Sequence, residues 1–443
     1  MSNGAYELLR EIKDHWRSVT SSRKFTDASP YSCSYTVIIQ PPEDVADSFF
    51  YYAECYQMAA RETAQHLLNA EIPDIAKLDT WFFPLAFMYR HSTELILKAL
   101  ILKENPFVGN EIATHDLKGL MDKLLKNGQC PLSEENLKWI DDFFVSESEV
   151  DNGSDSFRYP VGLSKDLVLD EQLHVNLIAL ANKFENLFDV FRDWYLKRRN
   201  SFTLSDMSPV FLETGGSYYE QSVVGYNRQR RDRKYIWADE QHYAWDDLGT
   251  YIDGYHETAE YLWEIIITDY DCGGEKDFPH WLIMPMCYMY RVSIELAAKR
   301  IIIDDIWRYA PVECWKRFKR AKHRVDNMWD YCRKMIPQVY SQYDCGTDML
   351  AAEYDNIYQR CQNLQDYDKD ASRFRYPCNK KMQFYYRQKE TLDLINIAEF
   401  MEQIFIYLDG VDTELKDRND YISQEEYEQR VKKNQNLWEV CFL

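Results

Sequence analysis

Pro84-Leu-Ala-Phe-Met-Tyr-Arg-His-Ser-Thr-Glu-Leu-Ile-Leu-Lys98 returns later in the chain as Pro285-Met-Cys-Tyr-Met-Tyr-Arg-Val-Ser-Ile-Glu-Leu-Ala-Ala-Lys299, with eight of fifteen positions identical. The echo keeps its order outside this stretch. Glu62-Thr-Ala64 matches Glu257-Thr-Ala259 upstream, His115 matches His323 downstream, and Phe157-Arg-Tyr-Pro160 matches Phe374-Arg-Tyr-Pro377 further on. A repeated unit of roughly 150 to 165 residues places function in what the copies share and in where they differ.

The repeat divides the chain into residues 1–196 as a first helical domain, 197–240 as a basic linker or arm, 241–411 as a second helical domain and 412–443 as a charged C-terminal helix. Apolar periodicity supports helices. Leu117, Leu120, Met121 and Leu124 follow an i, i+3, i+4, i+7 stripe after Thr114 as N-cap, and Leu173, Leu177, Leu180, Phe184, Leu187, Phe188 and Phe191 form a longer one. Leu394, Ile397, Phe400, Ile404 and Leu408 match the longer stripe in the second copy. The expected fold class is mainly α: two tandem antiparallel bundles of four or five helices. Minor strands or extended arms are expected around Tyr35 to Gln40 and Ser201 to Tyr235. Ser423-Gln-Glu-Glu426 reads as a capping box opening the last helix.

Composition narrows the function classes. A formal charge of −21 argues against a generic nucleic-acid coat, because phosphate binding runs on Lys and Arg. No apolar stretch reaches the ~20 residues of a membrane span. Eleven scattered cysteines without a C-x-x-C pair read as reduced thiols in a cytoplasm rather than a disulfide scaffold or a zinc ribbon. Motifs for nucleotide, zinc-protease and serine-hydrolase chemistry are missing, so neither cofactor nor metal is expected.

The shared polar residues are the candidates for chemistry. Arg90, Glu94 and Lys98 share one helix face, as do Arg291, Glu295 and Lys299. An unpaired guanidinium in so apolar a helix costs on the order of several kcal/mol, so these groups form either a buried ion pair or part of a site. His115 and His323 each stand at the start of a helix, where neutral imidazole is favoured. Arg158 and Arg375 carry the rigid fork that suits a phosphate or a carboxylate. Where the copies diverge, His91 becomes Val292, Arg61 becomes His256 and His66 becomes Tyr261. The second copy adds the basic, aromatic-interleaved run Trp315-Lys-Arg-Phe-Lys-Arg-Ala-Lys-His-Arg324, which reads as an RNA-backbone patch or a solvated helix face. Lys197-Arg-Arg199 and Arg228-Gln-Arg-Arg-Asp-Arg-Lys234 add basic clusters in the linker.

An apolar helix with Arg90-His-x-x-Glu94-Leu-x-x-Lys98, then a His115-Asp-Leu helix, then Phe157-Arg-Tyr-Pro160 resembles bacterial proteins of the HEPN superfamily over both repeats. That resemblance implies small helical bundles pairing about a two-fold axis, here within one chain. It further implies metal-independent RNA cleavage in antiphage or toxin-antitoxin defence. It casts Arg90, His91, Glu94, His115 and Arg158 as the catalytic cluster, and Lys316, Arg317, Lys319, Arg320, Lys322, His323 and Arg375 as RNA contacts. His would move the proton of the attacking 2′-hydroxyl and Arg would stabilise charge on the phosphate. The family's signature of an Arg and a His with four to six residues between them is met by Arg61 and His66, by Arg10 and His15, and by Arg317 and His323. No His follows Arg158 or Arg375 at that spacing. The alternative is a catalytically degenerate binding or scaffold module. Expected partners are RNA and a protein, either an antitoxin or another defence component, with no membrane and with room for further homo-oligomerisation.

Overall fold

The computed structural model describes residues 23–29, 35–68, 75–127, 130–151, 157–159, 173–198, 210–211, 235–238, 248–274, 276–342, 351–369 and 371–441. The chain is mainly helical. In the first half the helices are α1 (Val45–Leu68), α2 (Ile75–Glu104), α3 (Leu117–Asn127), α4 (Glu134–Asp151) and α5 (Leu177–Tyr195). In the second half they are α6 (Leu248–Asp271), α7 (Phe278–Arg300), α8 (Pro311–Ala321), α9 (Val325–Gln342), α10 (Tyr354–Tyr367) and α11 (Leu394–Cys441). Among the described residues, none of these helices is long and apolar enough to cross a membrane.

Four short strands precede helices, and their pairing is reciprocal. β1 (Thr36–Ile39), just before α1, runs antiparallel to β4 (Glu390–Asp393), just before α11, with Thr36 opposite Asp393. β2 (Leu173–Asn176), before α5, pairs in the same sense with β3 (Tyr235–Ala238), before α6. Each half therefore completes the other's hairpin-like sheet. The stripe that opens at Leu173 thus enters through a strand, and α5 starts at Leu177, with Asn176 accepting the Ala179 amide as N-cap.

The long apolar helices α2 and α7 are buried nearly all round, and the core runs without a break from one half to the other. Phe83 stacks on Tyr251 at 3.9 Å, and Phe87 lies 5.1 Å from Tyr288. α6 approaches α2 so closely that a Cβ at Gly254 would sit 2.1 Å from the Thr80 carbonyl oxygen, which explains a glycine inside a helix.

Two local expectations are corrected. The cap of α3 is Asp116, whose carboxylate accepts the Gly119 amide at 3.0 Å, while Thr114 bonds Asp116 itself. No helix starts at Ser423. α11 is continuous over 48 residues, and the Ser423 hydroxyl donates back to the Asn419 carbonyl as a mid-helix serine does. The capping-box letters are present, but Val411, Leu415 and Ile422 extend the buried stripe and the helix has no reason to break.

Candidate functional site

Helical spacing stacks Arg90, Glu94 and Lys98 on one buried face of α2, and the turn before α3 brings His115 to the same place. His115 Nδ1 lies 3.0 Å from Glu94 Oε2, and Lys98 Nζ donates to Glu94 Oε1 at 2.6 Å. Arg90 donates to the His115 carbonyl at 2.9 Å, so the guanidinium fixes the turn while sitting 3.8 Å from Glu94. Burial alone would raise the Glu94 pKa. The Lys98 and His115 charges outweigh it and hold the carboxyl well below the usual range.

The second copy repeats this geometry. His323 Nδ1 is 3.1 Å from Glu295 Oε1, Lys299 Nζ is 2.7 Å from the same oxygen, and Arg291 donates to the His323 carbonyl. Glu295 is likewise held well below its ordinary pKa, with burial opposed by Lys299 and His323. In both clusters the carboxylate is sealed while the imidazole reaches the surface: side-chain exposure is 0% for Glu94 against 41% for His115, and 1% for Glu295 against 36% for His323.

Each cluster is completed from the other half. Tyr376 donates to Glu94 Oε1 at 2.9 Å and lies 3.4 Å from His115 Nδ1. Tyr159 donates to Glu295 Oε1 at 3.1 Å and lies 3.1 Å from His323 Nδ1. Lys98 and Lys299 sit over the rings of these tyrosines, 5.1 and 4.2 Å from the centroids. The crossing segments are anchored by a second reciprocal pair of tyrosines. Tyr56 on α1 bonds the Phe374 carbonyl at 3.2 Å, and Tyr255 on α6 bonds the Phe157 carbonyl at 2.8 Å.

Of the residues expected in the first cluster, Arg90, Glu94 and His115 converge. Arg158 and His91 stand apart from them. Arg158 is buried, with its guanidinium 5.9 Å from the Phe87 ring and 5.3 Å from that of Tyr159. Arg375 takes the matching place, 5.3 Å from Tyr288 and 5.2 Å from Tyr376, and its Nε donates to the Ala371 carbonyl. Both arginines thus brace the crossing tyrosines from inside the core. His91 is fully buried, its Nε2 donates to the Arg375 carbonyl at 3.1 Å, and burial pushes its pKa well down. Arg61 and His66 do not meet either. Arg61 pairs with Glu185, while His66 stacks on Trp81 with Lys77 3.2 Å from its Nε2. Arg10 and His15, and the 228–234 basic cluster, lie outside the described residues.

The surface around the two imidazoles differs. Lys316, Arg317, Lys319, Arg320 and Lys322 are exposed on and just after α8, beside His323; Arg317 is tied to Glu313, and Lys319 lies over Trp315. Phe318 of the same helix lies 5.4 Å from Lys299, which joins this face to the second cluster. In the chain segment around His115, Glu111, Asp116 and Asp122 are exposed. The nearby Lys118 is held by Asp141 and Lys123 by the Glu111 carbonyl.

Chemically, a carboxylate only accepts, so a proton on Nδ1 is shared with Glu94 or Glu295 and Nε2 is left as the basic nitrogen of a half-exposed ring. The buried carboxylate orients the ring. Sequence reasoning flagged the Phe-Arg-Tyr-Pro blocks for their arginines and missed their tyrosines. It also missed Glu185 and Glu402, although an acid inside an apolar helical stripe is the signal that would have found both. Comparison with protein-family models, with curated proteins and with solved structures finds no match.

Proposed function

We propose that the chain is an internally duplicated, HEPN-like pair of helical bundles that engages RNA in a cytoplasmic, defence-type setting and cleaves it by acid-base chemistry at its surface imidazoles. The observation that carries this reading is the paired cluster: twice, a half-exposed His is bonded through Nδ1 to a sealed carboxylate and braced by a tyrosine from the other half. Such an imidazole suits proton transfer with a ribose 2′-hydroxyl or a leaving oxygen. The cationic face on α8 supplies backbone contacts beside His323, and the net charge of −21 disfavours nucleic acid on acidic parts of the surface. Lys316, Lys319, Arg320 and Lys322 are its RNA contacts, and His323 the imidazole that meets the strand.

One observation favours the second reading, a binding module that does not cut. Every arginine of the shared motif is committed inside the fold: Arg90 and Arg291 to histidine carbonyls, Arg158 and Arg375 among aromatic rings. Phosphate stabilisation would then fall to the α8 cations. Incubation of the full chain with labelled single-stranded RNA and transfer RNA in EDTA, beside His323→Ala and His115→Ala, separates the readings. Cleavage lost in His323→Ala supports the first. Retarded but intact RNA supports the second, and neither binding nor cleavage overturns both.

A further inference from the structure

The short sheet of β1 and β4, which joins the two halves, has an open side. Thr36 lies opposite Asp393, and the Leu394 amide donates to the Tyr35 carbonyl at 3.0 Å. An antiparallel ladder bonds through every second residue, so Val37 and Ile39 face β4 while the amides and carbonyls of Thr36 and Ile38 point to the other edge. Those outward groups have no backbone partner among the described residues. Composition does not protect the edge either. Thr36-Val-Ile-Ile-Gln40 is uncharged and mostly β-branched, proline comes only after it at Pro41 and Pro42, and Ile38 is 37% exposed. Natural edge strands are usually blunted by lysine, by proline or by a covering segment.

A cavity of about 690 Å³ lies against the whole of β1, lined on its other sides by the start of α1 and the first turns of α7. Its lining is largely apolar and aromatic, with Val37, Tyr52, Ile283, Met284 and Tyr386 buried behind it. The hydroxyls of the two α1 tyrosines are spent on the protein: Tyr51 donates to the His280 carbonyl at 2.7 Å and Tyr52 to the Arg373 carbonyl at 3.1 Å. The acids Glu43, Asp44 and Asp47 are exposed beside it, and no Lys or Arg is among the described lining residues. Asp44 accepts the Asp47 amide at 2.9 Å and Asp47 accepts the Tyr195 hydroxyl, both neutral donors. The negative charge at this end of the cavity is therefore not cancelled by an ion pair among the described residues.

We propose that β1 is a docking edge for an extended, basic and apolar segment of a partner protein. The segment adds as a third strand beside Thr36–Ile39, sets an apolar side chain in the cavity and holds Lys or Arg against Glu43, Asp44 and Asp47. Each feature selects one property of the occupant. Open amides and carbonyls in strand geometry recognise main chain, and the cavity beside them takes a side chain. The carboxylates attract a cation and repel a phosphate backbone, so they favour a basic peptide over nucleic acid. A two-stranded ribbon is marginal alone, and a third strand stabilises it. The proposal does not rest on the RNA reading, none of whose residues lines this cavity.

The test pans the full chain against phage-displayed random peptides of about ten residues, long enough to span a strand. The most enriched sequence is then made with a fluorescein label and titrated by anisotropy. Enriched peptides are expected to alternate apolar residues with Lys or Arg. Ile38→Pro removes an outward N–H and leaves the bonds to β4, which run from Val37 and Ile39; it is expected to weaken the labelled peptide about tenfold. Glu43→Lys is expected to weaken it about threefold and to reduce its salt dependence, and it decides the matter where Ile38→Pro does not fold. Failure to enrich any peptide, enrichment of acidic ones, or equal binding by wild type and the folded variants overturns the proposal. A dimer of the free chain in light scattering that Ile38→Pro dissolves also overturns it, because a second copy then occupies the edge.

Discussion

The Glu94–His115–Lys98–Tyr376 cluster and the Glu295–His323–Lys299–Tyr159 cluster share one interior and wear different surfaces. Inside, the same four residue types meet with separations of 2.6 to 3.4 Å. Outside, the exposed Glu111, Asp116 and Asp122 flank His115 along the chain, while the exposed Lys316, Lys319, Arg320 and Lys322 flank His323. The comparison teaches that what is constant is buried and mutually satisfied, whereas what varies is the field an approaching molecule meets. An anionic strand would be repelled at one imidazole and gathered at the other.

The largest test of the shared interior is removal of either carboxylate. Glu94→Gln leaves Lys98 and Arg90 buried without their anion, and Glu295→Gln does the same to Lys299 and Arg291. Each is expected to cost about 3–5 kcal/mol in urea unfolding. Clearly unequal costs would break the equivalence of the two interiors. Because both carboxyls are held below their ordinary pKa, their contribution is complete above about pH 4.5 and is lost as pH falls through the lower folded values.

A difference inside the core sharpens the comparison next. His91 is kept neutral by burial, whereas Val292 in its place has nothing to titrate. The unfolded chain binds that proton first. Stability from His91 is therefore present above about pH 6.5 and lost below it, by up to about 1.4 kcal/mol per pH unit. His91→Val should flatten the stability profile between about pH 6.5 and 5; an unchanged profile would show that His91 is not sealed.

The surface difference predicts a smaller, binding-level effect. Lys316→Glu with Arg320→Glu should weaken RNA binding about tenfold and reduce the salt slope by about 0.7 for each phosphate that is no longer neutralised. Lys118→Glu on the first half should leave both unchanged. Anisotropy across a salt series checks this, and equal effects would erase the proposed polarity. Tyr159→Phe and Tyr376→Phe should each cost about 1.5–3 kcal/mol, the worth of one hydrogen bond to a charged acceptor.

Much of the cluster was legible in the chain itself. Arg, Glu, Lys and His recur at fixed offsets around an apolar helix, and helical geometry puts the first three on one face. Helix content followed from the same stripes. What could not be read was which half each aromatic block would join, since spacing fixes neighbours along the chain and not across it. The exchange depends on the pairing of residues 36–39 with 390–393 and on the anchor from Tyr56 to Phe374, both contacts across more than 300 positions. Arg158 and Arg375 misled because a guanidinium fork fits an anion on paper, while aromatic rings enclose it in the fold. The Ser423 box misled because cap letters do not stop a helix whose buried stripe continues.

The reciprocal exchange is the claim on which both clusters rest, and a double-mutant cycle tests it most directly. Tyr376→Phe combined with Glu94→Gln should deviate from additivity by about 1 kcal/mol, and Tyr159→Phe combined with Glu94→Gln should add within about 0.5 kcal/mol. Coupling of Glu94 to Tyr159, the tyrosine of its own repeat, with additivity toward Tyr376, would contradict the exchange and return each cluster to a single half.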